Sequence, residues 1–164
     1  MKHYKIEQKP FAIGGKYIIT DDQGHEEYMA KGKPFSFRKH TSLADSLGNV
    51  TYEFHRQLFS WKQNFFIHEN GDPAYRLFKN RVSIPPEIFI ESLQDSDAFY
   101  VKGNFWGMEY DFYKGEEKFA SVSKNFPSFV DTYHVKIDDG HDDALVLTIV
   151  LIIDVMKDSK KKKG

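Results

Sequence analysis

The side chains that could bind an anion are concentrated in one basic segment near the N-terminus. Lys31, Lys33, Arg38 and Lys39 place four permanent cations within nine residues, and His40 follows them directly. Grouped cations of this kind bind phosphates and anionic head groups. Two phenylalanines separate them, as aromatic side chains do at a membrane interface. The favoured alternative is that the lysines protect exposed strand edges from aggregation.

The densest acidic cluster surrounds His141 and consists of Asp138, Asp139, Asp142 and Asp143. A calcium loop that began at Asp138 would need Glu at its twelfth position, where the chain has Ile149. A zinc site would need a second histidine at helical spacing, and the segment has none. We therefore predict no metal site, and we interpret the carboxylates as a helix cap and an exposed loop.

No motif in the chain predicts catalysis or a cofactor. The sequence lacks the glycine-rich phosphate loop, the dinucleotide fingerprint and the Gly-x-Ser-x-Gly turn. Its seven histidines are scattered, and it has no cysteine for thiolate chemistry or disulfides. We predict a protein that is not an enzyme, with no catalytic residues and no cofactor.

The element that must organise these residues is the apolar stretch at 142–156. Residues 144–153 are apolar except for Thr148, and Asp142 and Asp143 precede them where a helix favours acceptors and negative charge. A strand and a membrane tail anchor are the alternatives. About 13 residues at ~1.5 Å each span only ~20 Å, short of a ~30 Å bilayer core, and Asp154 would lie within the span. We predict a buried helix.

The charge is unevenly distributed along the chain. Residues 157–164 hold five lysines and one aspartate, which gives them a formal charge of +4. Since the net charge of the chain is −1, residues 1–156 carry −5. An acidic body argues against nucleic-acid binding. The N-terminus has no apolar run of the kind that secretion requires, so we predict cytoplasmic residence. The predicted organisation is one domain over 1–156 and a flexible lysine-rich tail over 157–164.

The first 137 residues read as short runs of alternating apolar and polar side chains. The clearest run extends from Val50 to Leu58, and turn residues separate the runs. Val82 and Ile84 form one run, which Pro85 and Pro86 end. About twelve antiparallel strands and a helix that is apolar on all sides favour a closed barrel with the helix inside, because a sandwich has no room for it.

Five segments together resemble a known family. They are FAIGGKYIITDDQG at 11–24, AKGKPFSF at 30–37, GNFWGMEYDFY at 103–113, SVSKNFPSFVDTYHVKI at 121–137 and DDALVLTIVLIID at 142–154. Their order and spacing resemble the LURP-one-related family, which shares the fold of the Tubby C-terminal domain. The resemblance implies a twelve-stranded barrel around a hydrophobic C-terminal helix, and it covers residues 1 to about 156.

For function, the resemblance implies a non-catalytic binding module. Tubby domains bind phosphoinositides at a basic surface, so the expected partner is an anionic membrane lipid or a protein, with the chain peripheral to the membrane and without a transmembrane segment. The alternative is a small-ligand carrier or enzyme with its site at the barrel mouth. The two differ in whether the helix fills the barrel, because a filled barrel has no interior ligand cavity.

Overall fold

Twelve strands form a closed antiparallel barrel in the computed structural model, which describes residues 1–9, 15–32, 40–57, 64–80, 82–124 and 132–161. Each strand pairs with its neighbours in the chain, and β1 also pairs with β12. The predicted mainly-β barrel of about twelve strands is therefore confirmed. The elements are β1 (Lys2–Lys9), β2 (Lys16–Asp21), β3 (Glu26–Gly32), β4 (Thr41–Asp45), β5 (Val50–Arg56), β6 (Asn64–Glu69), β7 (Asp72–Asn80), β8 (Glu87–Ser92), β9 (Ala98–Asn104), β10 (Glu109–Lys114), β11 (Glu117–Lys124), β12 (Thr132–Ile137) and α1 (Asp143–Lys161).

Alternation along each strand decides which side chains line the interior. In β5, Tyr52 and Phe54 are buried, whereas Glu53 between them lies on the outer wall. Phe54 lies directly opposite Ile67 of β6, and its ring meets that of Phe65 edge to face. Because successive side chains of a strand point to opposite faces, every second side chain points inward, and these inward side chains form the apolar core.

Helix α1 occupies the interior of the barrel. No residue from Ala144 to Ile153 is more than 6% exposed, and Thr148 satisfies its hydroxyl by donating to the Ala144 carbonyl at 2.7 Å. A helix that is apolar on every side must be covered on every side, and the strands provide that cover. The predicted buried helix is confirmed, and it continues five residues beyond its expected end, from Met156 to Lys161.

The two ends of the barrel differ in chemistry. At the end where α1 begins, which we call the capped end, the Asp142 carboxylate accepts the Leu145 N–H at 3.0 Å. This confirms the predicted helix cap. At the opposite end, which we call the mouth, Ile153, Met156 and Lys157 of α1 lie beside the β7–β8 and β9–β10 connections.

The run at Val82 and Ile84 is not a strand, contrary to the prediction. Both residues lie in the β7–β8 connection, where their side chains are 87% and 98% exposed. Strand β8 begins only after Pro85 and Pro86, because a proline has no N–H to donate to a sheet ladder. The run expected at Phe35 and Phe37 lies outside the described residues.

Candidate functional site at the barrel mouth

A cavity of about 360 Å³ lies at the mouth, between the end of α1 and two connections of the barrel. Its volume falls within the range of small-molecule sites, roughly 300–1,000 Å³. Because α1 fills the interior, a ligand in this cavity would lie at the mouth and not inside the barrel. Most of the lining is apolar and includes Pro85, Pro86, Phe105, Trp106, Ile153 and Met156.

Two lysines line the same cavity. Lys79 is half-buried, whereas Lys157 is only 8% exposed. The Lys157 ammonium lies 5.8 Å from the centre of the Tyr133 ring, a cation–π distance. Across the described ranges, no carboxylate lies within 4 Å of this ammonium. A buried cation without a counterion is costly, so Lys157 makes the cavity attractive to an anion.

Gly103 shapes one wall of the cavity. Its φ of +148° is one that residues with a side chain rarely adopt. A Cβ atom there would lie 2.6 Å from the Glu109 carbonyl oxygen and 2.7 Å from the Tyr110 Cα. Glycine therefore lets β9 approach the start of β10 closely. The Asn104 side chain then accepts the Gly107 N–H at 2.9 Å, which closes the turn that carries Trp106.

A buried polar network fixes the last turns of α1 beneath the cavity. The Asp154 carboxyl is fully buried and accepts hydrogen bonds from the hydroxyls of Tyr17, at 2.6 Å, and Tyr133. Burial, with a further contribution from the charge of Asp154, raises the pKa of Tyr110 well above its usual value. The network ties α1 to β2 and β12 one turn before Lys157, and so it positions that lysine.

Exposed apolar side chains surround the mouth. Val82, Ile84 and Trp106 are 87%, 98% and 53% exposed. Large exposed apolar groups that lie together mark interaction sites more often than isolated ones do. Exposed apolar residues also occur at the capped end, where Leu47 is 85% exposed, but carboxylates surround them there. The combination of apolar and basic groups therefore distinguishes the mouth.

The small net charge of the chain conceals a separation of charge between the two ends. Turns and strand ends at the capped end carry Asp21, Asp22, Glu26, Asp45, Glu69, Asp72, Asp95, Asp97, Glu116, Glu117, Asp138, Asp139, Asp142 and Asp143, together with the basic residues Lys2, Lys114 and Lys118. Strand ends and the helix end at the mouth carry Lys9, Lys16, Lys31, Arg56, Lys79, Lys124 and Lys157, together with the acidic residues Glu87 and Glu109. The acidic excess of residues 1–156 therefore lies mostly at one end of the barrel.

Three of these cations form what we call the lysine row. Lys9 of β1 lies directly opposite Lys16 of β2, which in turn lies directly opposite Lys31 of β3. All three are on the outer wall beside the mouth, because their sequence neighbours, such as Tyr17 and Ala30, point inward. Like charges directly opposite each other destabilise a sheet, and an anion bound between them would relieve that repulsion.

One of the four predicted anion-binding residues lies in the lysine row beside the mouth. Lys31 lies in the lysine row and is exposed. The other three predicted residues, Lys33, Arg38 and Lys39, lie outside the described residues. Sequence reasoning did not assign Lys79, Lys157 or Trp106 to a site. It placed Lys157 in the lysine-rich tail at 157–164, whereas the structure places this residue in α1 with its side chain buried.

The outer wall carries a further row of aromatic rings, formed by Phe78, Phe89, Tyr100 and Tyr113. Neighbouring ring centres are 5.7, 6.2 and 5.3 Å apart across the strands. The rings of the first and last of these pairs are stacked and so shield one another. We interpret this row as cross-strand stabilisation of the sheet.

The architecture defines the class of protein as an antiparallel β-barrel filled by its C-terminal helix. The chain belongs to the LURP-one-related family, whose model matches residues 2–154. The resemblance stated from the sequence is therefore confirmed.

Two similar proteins support this assignment. The chain is 24% identical over 151 residues to the uncharacterised protein YxjI of Bacillus subtilis (strain 168), covering 92% of this chain and 91% of that protein. An X-ray structure of a protein from Arabidopsis thaliana superposes with a TM-score of 0.68. The match covers 94% of this chain and 91% of that chain at 18% identity, which shows a shared fold.

Two features that would identify a class of partner are absent from the described residues. No helix in this part of the chain is both long and apolar enough to cross a membrane. Over the same ranges, no group of three or more histidine, aspartate or glutamate side chains is arranged to hold a metal ion.

Proposed function

We propose that this protein is a non-catalytic binding module that associates with anionic lipid surfaces through its mouth. One observation carries the proposal. An apolar cavity, exposed apolar side chains and a concentration of lysines coincide at one end of the barrel, while the opposite end is acidic.

Simple electrostatics gives such a barrel a preferred orientation on an anionic surface. Each lysine near the surface contributes about 1 kcal/mol of attraction, which salt screens. The lysine row and Lys79 would face the head groups, and the acidic capped end would point away. Trp106 and Ile84 would then enter the interface, where tryptophan and aliphatic side chains are favoured.

Flotation with lipid vesicles tests the proposal. Recovery of the protein should be high with vesicles of phosphatidylcholine and phosphatidylserine, low with phosphatidylcholine alone, and reduced by added salt. Ile84→Asp should lower the affinity for anionic vesicles about tenfold, because it places a carboxylate at the interface.

Leu47→Asp is the matched control. It introduces the same charge at a comparably exposed aliphatic residue of the capped end, and it should leave flotation unchanged. Equal recovery with neutral and anionic vesicles at low salt, or equal effects of the two substitutions, would contradict the proposal. In that case, a protein partner at the mouth becomes the favoured explanation of its apolar groups.

The cavity itself favours a second candidate, a site for a small ligand at the mouth. With α1 inside the barrel, a carrier of the hollow type has no interior to use, and the apolar cavity at the mouth supports this candidate instead.

A further inference from the structure

We propose that the mouth cavity takes up a single aliphatic chain of an anionic amphiphile, with the Lys157 ammonium as counterion of its head group. This inference deepens the proposed function, because both use the mouth. It adds that one molecule is recognised individually and not only as part of a surface.

The cavity fits the aliphatic part of such a ligand. Its walls are made by proline rings, the Phe105 and Trp106 rings and the side chains of Ile153 and Met156. Apolar surface of this kind gains free energy when a chain displaces water from it. Methionine and proline side chains carry no hydrogen-bond donor that a polar ligand could satisfy.

Lys157 supplies the reason for a negative head group. Its side chain is more than nine-tenths buried, it lines the cavity, and its ammonium faces the Tyr133 ring. Asp154 lies three residues earlier on the helix, and both oxygens of its carboxyl already accept tyrosine hydroxyls. The ammonium therefore lacks a close carboxylate among the described residues, and a ligand oxygen anion would supply one.

A carboxylate and a phosphate monoester present the same chemistry to Lys157. Each offers charged oxygens that accept from an ammonium at short distance. A fatty acid and a lipid with one chain and a phosphate therefore satisfy the site equally well on chemical grounds. A cationic head group on the same chain would meet repulsion from Lys157 and Lys79.

Titration calorimetry on the full chain tests the inference. The probes are dodecanoate, dodecyl phosphate and dodecyltrimethylammonium, each kept below its micelle concentration. We expect saturable one-to-one binding of at least one of the two anions and no binding of the cation. The comparison of dodecanoate with dodecyl phosphate distinguishes a carboxylate from a phosphate as the natural head group.

Three substitutions assign the binding to Lys157. Lys157→Met retains the aliphatic stem and should lower the affinity for the bound anion at least tenfold, whereas Lys157→Arg should retain it within about threefold. Lys118→Met removes an exposed lysine of β11 and should have no effect. Unchanged binding in Lys157→Met, or equal binding of the cationic and anionic chains, would overturn the inference.

A second variant keeps the test decisive if Lys157→Met does not fold. Met156→Trp places a larger side chain in the cavity wall and should abolish uptake of the chain while circular dichroism stays native. Binding that persists in a folded Met156→Trp protein would also overturn the inference. Vesicle flotation without monomer binding would contradict only this inference, whereas monomer binding without flotation would contradict only the proposed surface association.

Discussion

The buried Asp154 carboxyl determines how much the neighbouring tyrosine hydroxyls contribute to the stability of the folded protein. Tyr17 donates to Asp154 at 2.6 Å, whereas the Tyr110 hydroxyl, equally close to the core, has no hydrogen-bond partner within the described part of the chain. Two chemically identical substitutions should therefore have opposite consequences, because an unpaired buried hydroxyl stabilises nothing.

Tyr17→Phe should lower the free energy of unfolding by about 1–3 kcal/mol, since it removes a hydrogen bond to a carboxyl. Tyr110→Phe should leave that free energy unchanged or raise it by about 1 kcal/mol. Urea denaturation of both variants measures the difference. Equal losses in the two proteins would show that the network does not act through this hydrogen bond.

The tyrosines of the capped end predict a loss of stability at alkaline pH. Burial, and then the hydrogen-bonded carboxylates of Asp143 and Asp142, raise the pKa of Tyr4 and Tyr52 far above the usual value near 10. The folded protein therefore keeps protons that the unfolded chain releases near pH 10. The contribution of these two tyrosines to the free energy of unfolding should be constant below about pH 10. It should fall as the pH rises above about 10.

Lys2 should also lower the stability at alkaline pH, because its hydrogen bond to Asp143 raises the pKa of its ammonium in the folded protein. Thermal melts followed by circular dichroism at a series of pH values from neutral to alkaline test the sign. The double variant Tyr4→Phe, Tyr52→Phe should show a shallower decline above pH 10. A stability that rises above pH 10 would contradict this account.

Among the secondary-structure elements, α1 forms the centre of the core against which the inward side chains of the strands pack. Ile149 is fully buried midway along the helix, inside the barrel. Ile149→Asp places an uncompensated carboxylate there, and the cost of burying it is comparable to the whole stability of a typical domain, about 5–15 kcal/mol. We expect the variant to be unfolded.

Ile149→Val is the control for this substitution, because it removes one methylene and should cost about 0.5–1.5 kcal/mol. Circular dichroism and solubility distinguish the two outcomes. A soluble Ile149→Asp protein with a native spectrum would show that α1 is not required inside the barrel.

At the scale of the whole molecule, closing the barrel gathers residues that are far apart in the chain. Lys9, Lys16 and Lys31 become direct neighbours through pairing of β1, β2 and β3. Turn carboxylates from six separate connections gather at the other end in the same way. The result is a polar molecule whose net charge of −1 says little about its surface.

This polarity predicts that charge reversal has different effects at the two ends. Lys31→Glu should weaken association with anionic vesicles several-fold and make it less dependent on salt, because Lys31 belongs to the lysine row. Lys118→Glu makes the same change near the capped end and should have little effect. Flotation over a range of salt concentrations compares the two, and equal effects would argue against binding through the mouth.

Much of the fold could be predicted from local patterns. Alternation in β5 identifies a half-buried strand, and the apolar residues before Lys157 identify a helix that needs cover on all sides. The same local pattern failed at Val82 and Ile84, where two prolines prevent pairing. The candidate site could be predicted only through Lys31, because its other members are brought together by contacts between distant parts of the chain.

Local sequence patterns were sufficient to identify the elements: an apolar helix with Asp142 as its cap, a set of alternating strands, and the family to which their order belongs. The candidate site, in contrast, is formed by packing between distant parts of the chain. The register of neighbouring strands aligned the lysine row, and the packing of α1 against the strands buried Lys157 beside an apolar cavity at the mouth. Periodicity is a local property that can be recognised within a short segment. The register of the strands and the position of α1 at the mouth depend on long-range pairing, which no short segment encodes.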